Sequence, residues 1–382
     1  MKRFLKWTAL GLLALILGLG LTLRLRYGGG QPYPHLTAGQ PPLVPADSVQ
    51  AFFQFPEPVG NVAATPTPGQ PTRVFFTVHP ESRPEGAKLL EIGPDGQARP
   101  FPDAASQNGL ITPLGLFADR QQRLWVIDHG NHGLDGARLL AYDLRSNKLV
   151  HSFTFPSSVA ERGSFLNDLC VSPDGRYVFV ADVSFWRQSP SLVVYDVARR
   201  RARSLLDNDS TVTAQNWLIR NPLKDMSFFG GLVNLKPGID GIAADSQYVY
   251  YAPMAHSGLF RVPLAALTDT TLTPAALARQ VQRVGRKPLS DGIGVTAAGN
   301  LLITDVEHQG LALMTPQGAL QPLVRDARIR WADGLSFGAD GYVYVTDSAI
   351  PDQMLRSKEH IRSAGPYTIF RFRLPASPHG TH

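Results

Sequence analysis

The chain has 382 residues, 43% of them hydrophobic and 18% charged, which excludes disorder, collagen and low-complexity fibre as descriptions of the whole. Basic residues outnumber acidic ones by 37 to 31, but Lys2, Arg3, Lys6, Arg24 and Arg26 carry most of the excess in an acid-free N-terminal stretch. The remainder is nearly neutral, so a nucleic-acid partner is not expected, and the single Cys170 excludes an internal disulfide and a cysteine-built zinc site.

Met1–Lys6 is basic and Trp7–Leu23 carries no charge, the pattern of an export signal or a membrane anchor over residues 1–27. No small-x-small cleavage pattern follows, so an uncleaved anchor is expected, with the body facing the periplasm or the exterior; cleavage would make the protein secreted. Residues 28–46, rich in Gly, Pro and Gln, are expected to form a linker, 47–375 the folded body and 376–382 a disordered tail. The N-terminal segment is the only membrane contact expected, and the body is expected to be monomeric.

Repetition dominates the body. "NDLCVSPDGRYVFVADVS" (167–184), "DGIAADSQYVYYAPMAHSG" (240–258), "DGIGVTAAGNLLITDVEHQG" (291–310) and "DGLSFGADGYVYVTDSA" (333–349) each open with Asn or Asp. Each then gives a short apolar strand, a turn and a second strand. Weaker copies begin at Asn61 and Leu114, and the six openings are separated by 53, 53, 73, 51 and 42 residues. With another strand pair after most copies, the expected fold is all-β, a six-bladed β-propeller preceded by a hydrophobic helix. "YTIFRFRL" (367–374) leaves the last blade one strand short, and "SVQAFFQF" (48–55) is expected to close the ring. The long spacing places about twenty extra residues within 207–239, a loop holding Trp217 and Phe228 that can cover the channel and stack on a ligand.

In an antiparallel meander, the start of a first strand and the end of a second lie on one rim. Asn167, Asp240, Asp291 and Asp333 therefore converge at one end of the channel, with Asp128, Asp182, Asp305 and Asp347 on the same side. The second set is expected to satisfy backbone N–H groups. Crowded carboxylates in the first set are costly unless a cation or ligand shares them, and hard oxygen donors suit Ca²⁺ or Mg²⁺, with Asn167 and Asp240 as metal-site candidates. His79, His129, His256 and His308 follow the second strands, as proton-transfer groups or as solvated loop residues. No GxSxG or HExxH motif is present.

"RLWVIDHG" (123–130), "FLNDLCVSPDGRYVFVADVS" (165–184), "GIDGIAADSQYVYYAPMAHSGLFRVPLAAL" (238–267), "WADGLSFGADGYVYVTDS" (331–348) and "PYTIFRFRL" (366–374) together resemble the major royal jelly/Yellow protein family over about 45–375. The resemblance implies an exported six-bladed propeller. Some members are associated with dopachrome conversion, some bind biogenic amines in the channel, and others serve as food proteins. The gluconolactonase/senescence-marker family shares the propeller and holds a divalent metal by a Glu, an Asn and an Asp. Asn167 and Asp240 resemble that Asn and Asp, whereas Gly60-Asn61 stands where the Glu would be.

The leading expectation is a propeller that binds or converts a small organic molecule at the channel, by dopachrome-type tautomerisation if it is an enzyme. Asp240, Asp291 and Asp333 would polarise the substrate, His256 or His308 would move a proton, and Trp217, Phe228 and His129 would contact the ligand. The alternatives are a metal-dependent lactone hydrolase and a non-enzymatic binding or scaffold propeller.

Overall fold

The computed structural model describes residues 2–375; the expected disordered tail, 376–382, lies outside them. Six four-stranded antiparallel sheets surround a central channel. Their innermost strands are Val59–Ala64, Pro113–Ala118, Leu166–Val171, Ile239–Ala244, Ile293–Val295 and Ala332–Phe337. They define blades one to six. Gln50–Phe55 pairs with Tyr367–Arg373 as the outer strand of blade six, so the N-terminal part of the body closes the ring.

The second strands carry apolar residues on both parities because each is covered on both faces by a neighbouring blade. In blade two, Arg123–Asp128 buries Leu124, Trp125, Val126 and Ile127 completely. Trp125 and Ile127 meet Val178, Val180 and Tyr195 of blade three, while Leu124 and Val126 meet Phe75 and Leu89 of blade one. Each such side chain contributes about 1.5–3 kcal/mol of apolar burial before conformational entropy is subtracted.

The aspartates that end second strands cap the incoming loops. Asp128 accepts from Ile111 N at 2.9 Å and Thr112 N at 2.8 Å, Asp182 from Phe165 N at 2.8 Å, and Asp347 from Trp331 N at 2.9 Å. Arg138 and Arg330 lie 2.6 and 2.7 Å from Asp128 and Asp347, and Arg325 lies 3.0 Å from Asp305. These carboxylates pin the loop-side rim, so their role is structural.

The helix α1, Lys2–Tyr27, is exposed along most of its length, with Tyr27 buried at its end, and is long and apolar enough to cross a membrane, compatible with a signal or an anchor. The segment after it is an ordered strap rather than a free linker. Gln31–Pro32 pairs in parallel with Trp217–Leu218, Tyr33 donates to Lys287 O at 2.9 Å, and Leu43 N and Val44 N bond to Pro322 O and Leu323 O. Buried Tyr33, Val44 and Val49 supply the apolar contacts that hold it down.

Candidate functional site

The "DG" that opens blades four, five and six has a packing cause. A Cβ on Gly241 would lie 2.4 Å from Asp291 O, and one on Gly292 would lie 2.3 Å from Asp333 O, so only glycine lets successive blades approach this closely. Blade two places Gly115 against Asn167 O in the same way. The repeat therefore builds two rings around the axis. The upper ring is Gly60, Leu114, Asn167, Asp240, Asp291 and Asp333; the lower is Asn61, Gly115, Asp168, Gly241, Gly292 and Gly334. In the lower ring only blades one and three carry side chains beyond hydrogen.

Asn167 Nδ2 donates to Asp240 Oδ1 at 2.6 Å, and Asn61 Nδ2 donates to Asp168 Oδ1 at 3.2 Å. Trp331 Nε1 donates to Asp291 Oδ2 at 2.7 Å. Burial, reinforced by the neighbouring carboxylates, pushes Asp240 and Asp333 well above the usual range. Burial raises Asp291 to about 6, although Trp331 and Lys287 oppose it. Asp168 is raised to about 7, chiefly by burial, with Asp291 adding repulsion. The buried amine of Lys287 donates to Pro288 O at 3.1 Å; burial lowers its pKa to about 7, while Asp305, Asp240 and Asp291 pull it upward. Burial thus shifts Asp168, Asp291 and Lys287 toward neutrality.

The two ends of the channel differ. Above the upper ring, Ile219, Met226, Leu289, Val306, Trp331 and Ile350 form an apolar seal. Ile219 and Met226 come from the long loop, whose Asn221 Nδ2 donates to Val306 O at 2.7 Å and Arg330 O at 2.8 Å. Asp240, Asp291 and Asp333 therefore lie beneath a closed lid and not at an open mouth. The opposite end opens as a 1370 Å³ funnel whose wall reaches Asn61 and Asp168, with Leu116, Ile242, Ile293 and Leu335 among its apolar positions and Asp119, Arg120, Asp245 and Arg373 among its charged ones. Ser290 Oγ, beside Asp291 in sequence, is buried without a partner among the described residues.

The expected aspartates and Asn167 come together; the expected histidines and aromatics do not join them. His256 Nδ1 accepts from Gly258 N at 2.7 Å, in a loop beyond the ring, and burial lowers its pKa to about 4. His308 bonds to Asp305 at 2.9 Å and stacks on His35 with ring centroids 3.6 Å apart. His129 is buried against Phe165, its Nδ1 accepting from His132 N at 3.0 Å, and its Nε2 has no partner. Trp217 packs on Tyr33 and donates to Gln215 Oε1 at 2.8 Å, while Lys224 lies 4.5 Å above the Phe228 ring. These contacts serve the seal.

The metal expectation meets a poor donor set. Gly60 offers no side chain in blade one, one Asp240 oxygen is taken by the Asn167 amide, and the Lys287 amine lies near enough to act on Asp240 and Asp291. Among the described residues no three His, Cys, Asp or Glu side chains form a metal-holding group. The residues present do not fit a three-ligand site.

Asp168 and Lys287 were not evident as candidates from spacing. Aligning the openings gives the signal for Asp168: "ND" at 167–168 stands over "DG" at 240–241, so an acid replaces an otherwise glycine position. Lys287 lies between repeats and carries no such mark.

The fold is shared with solved propellers of low sequence identity. A gluconolactonase from Xanthomonas campestris superposes with a TM-score of 0.54 at 15% identity, covering 91% of this chain and 98% of that one. Regucalcin, a calcium-binding protein from Agrobacterium tumefaciens, gives a TM-score of 0.51 at 14% identity, covering 84% and 93%. In sequence, Major royal jelly protein 3 of Apis mellifera is 26% identical over 258 residues, 62% of this chain and 43% of that protein. Major royal jelly protein 1 of the same organism is 25% identical over 198 residues, 47% of this chain and 42% of its own length. The matched stretches thus span less than half of either relative. The family model described as Major royal jelly protein matches residues 111–357, blades two to five and part of blade six. The chain belongs to the major royal jelly protein family.

Proposed function

We propose that the protein binds a small, enolisable organic molecule from the funnel side and catalyses a proton transfer on it, a tautomerisation of the dopachrome type. The observation that carries this reading is the convergence of Asp168, Asp291 and Lys287 on one channel, each tuned close to neutrality, with Asp168 at the funnel apex. A proton-transfer catalyst works best with a pKa near ambient pH. The ionised Asp168 would take a proton from a carbon beside a carbonyl; the C–H electron pair would form a C=C bond and the C=O pair would move onto the oxygen. A neighbouring protonated carboxyl would deliver a proton to the second site, after which the two groups exchange their proton. Asn61 would hold the Asp168 carboxylate by the hydrogen bond its side-chain amide already donates. The apolar residues of the funnel wall would receive a flat ring, and the ionised Asp168 would favour a substrate bearing an amine.

The fold shared with a gluconolactonase supports a second reading, a lactone hydrolase dependent on a divalent cation, against which the donor set around Asn167 and Asp240 argues. The two are separated by following solvent deuterium uptake into dopachrome, and hydrolysis of gluconolactone, each with and without chelator. Exchange that survives chelation and is lost in Asp168→Asn supports the tautomerase. Chelator-sensitive lactone hydrolysis supports the alternative. Ligand binding without either turnover would make the protein a binding propeller. We also propose that α1 exports and anchors the body outside the cytoplasm; fractionation finding the full-length chain free in the cytoplasm would refute that.

A further inference from the structure

The end of α1 is fastened to the loop-side face of the propeller. Tyr27 Oη donates to Trp186 O at 2.7 Å, Arg26 Nη2 to Arg187 O at 3.0 Å, and Gln188 Nε2 to Arg26 O at 2.8 Å. Arg24 donates to Gly231 O, and Lys236 Nζ donates to Gly28 O at 2.7 Å. At about 1.5 Å per residue the helix exceeds the ~30 Å hydrocarbon core of a bilayer. A helix that spans a bilayer therefore holds this face against the lipid.

That face exposes large apolar side chains that no packing explains. Trp186 is 49% exposed, Leu223 47%, Phe229 65% and Leu355 61%. All four lie in loops on the sealed side of the channel, as does Leu134 beside Asp135. On the funnel side the exposed large hydrophobics among the described residues are Leu43 on the funnel wall, 42% exposed, and Leu149 and Val150 at the start of the outer strand of blade two. Phe229 and Leu355 moreover sit at φ 53° and 57°, a left-handed conformation that favours glycine and penalises bulky side chains. The fold gains nothing from placing Phe and Leu there.

Trp186 and Phe229 flank the helix exit, and Leu223 and Leu355 are linked to each other through their neighbouring basic residues. Trp186 touches Tyr27, Phe229 neighbours the Gly231 that binds Arg24, Lys224 beside Leu223 covers Phe228, and Arg356 beside Leu355 is close enough to Lys224 to depress its pKa after burial has done so. Leu223 and Leu355 are each followed by a basic residue, the pairing that puts an apolar group into the acyl boundary and a cation at the phosphates, whereas Arg187 after Trp186 is engaged by Asp182 and Glu161. At the foot of α1 a 320 Å³ cavity is lined by Arg26, Gln188, Asn216 and Lys236, and no acidic residue lines it.

We propose that this face is a membrane-docking surface. Trp186, Leu223, Phe229 and Leu355 enter the headgroup layer of the bilayer that α1 crosses, Arg24, Arg26 and Lys236 meet lipid phosphates, and the funnel opens away from the membrane. This rests on α1 being retained as an anchor and is independent of the reaction in the channel. The test uses the full chain in phosphatidylcholine/phosphatidylglycerol vesicles, with an environment-sensitive fluorophore on Leu12→Cys, Phe229→Cys, Leu355→Cys or Gln317→Cys; native Cys170 is buried. Doxyl-labelled lipid should quench the labels at 12, 229 and 355, and shift the last two to the blue, while leaving the funnel-side label at 317 unchanged. Quenching at 12 but not at 229 and 355 would overturn the docking face and spare the anchor. Quenching at 317 instead would reverse the orientation. No quenching at 12 would remove the anchor and the docking surface together.

Discussion

The two ends of the channel are made from the same six strands and differ almost completely. At the loop side, long connections supply Ile219, Met226, Leu289 and Trp331, which exclude water and leave carboxyl groups with few partners. At the turn side, short hairpins leave a 1370 Å³ funnel whose apex carries Asn61 and Asp168. The difference separates two tasks: sealing raises the pKa values of the acids, and the opening decides which of them a ligand can meet. A propeller can thus keep costly buried charge beside an accessible site, because rings one residue apart along the strand belong to different environments.

Removing the seal should have the largest effect. Replacing residues 211–234 with a short Gly-Ser linker deletes the fully buried Ile219 and Met226 and uncovers Trp331. Core deletions of this kind cost about 2–5 kcal/mol each, so a loss above about 4 kcal/mol is expected in chemical denaturation. A loss below about 1 kcal/mol would mean that the loop is only a surface excursion.

The next effect sharpens the electrostatic contrast. A carboxyl raised in the folded state favours folding below its unfolded pKa, and that advantage disappears as pH rises through the folded value. For Asp168 the window runs from its ordinary value of 3.8 to about 7. Three units would amount to ~4 kcal/mol, which contact with the funnel reduces. Asp168→Asn should therefore gain about 1–3 kcal/mol over wild type at pH 8 and nothing at pH 3. Equal effects at both pH values would remove the shifted pKa from the explanation.

The sequence exposed the repeat and hence the upper ring, because "DG" recurs at 240, 291 and 333 with the same following strand. It also exposed the closing strand through the missing partner of Tyr367–Arg373. The histidines misled because a residue that recurs at strand ends caps a loop as readily as it faces a channel; His256 and His129 both spend Nδ1 on backbone N–H groups. The seal was hidden since Ile219 and Met226 follow no strand period, and their burial depends on Leu289 and Val306, distant in sequence. Lys287 was hidden for a similar reason: its partners are carbonyls, which leave no trace in side-chain patterning.

Two smaller changes test the rings themselves. Gly292→Ala puts a methyl against Asp333 O and should cost about 1–3 kcal/mol, read as a lowered melting temperature. Phe228→Ala removes a partly buried ring at the edge of the seal and should cost less than the Gly292 change, with Asp168 unaffected. A reversed order would place the seal, rather than the approach of the blades, in control of the channel.

The most direct measurement is a carbon-13 titration of the Asp168 carboxyl, assigned by its absence in Asp168→Asn, with and without a small aromatic amine. The account predicts a midpoint near 7 that falls when the amine binds at the funnel apex. A midpoint below 5, or one indifferent to every amine that the protein binds, would contradict it.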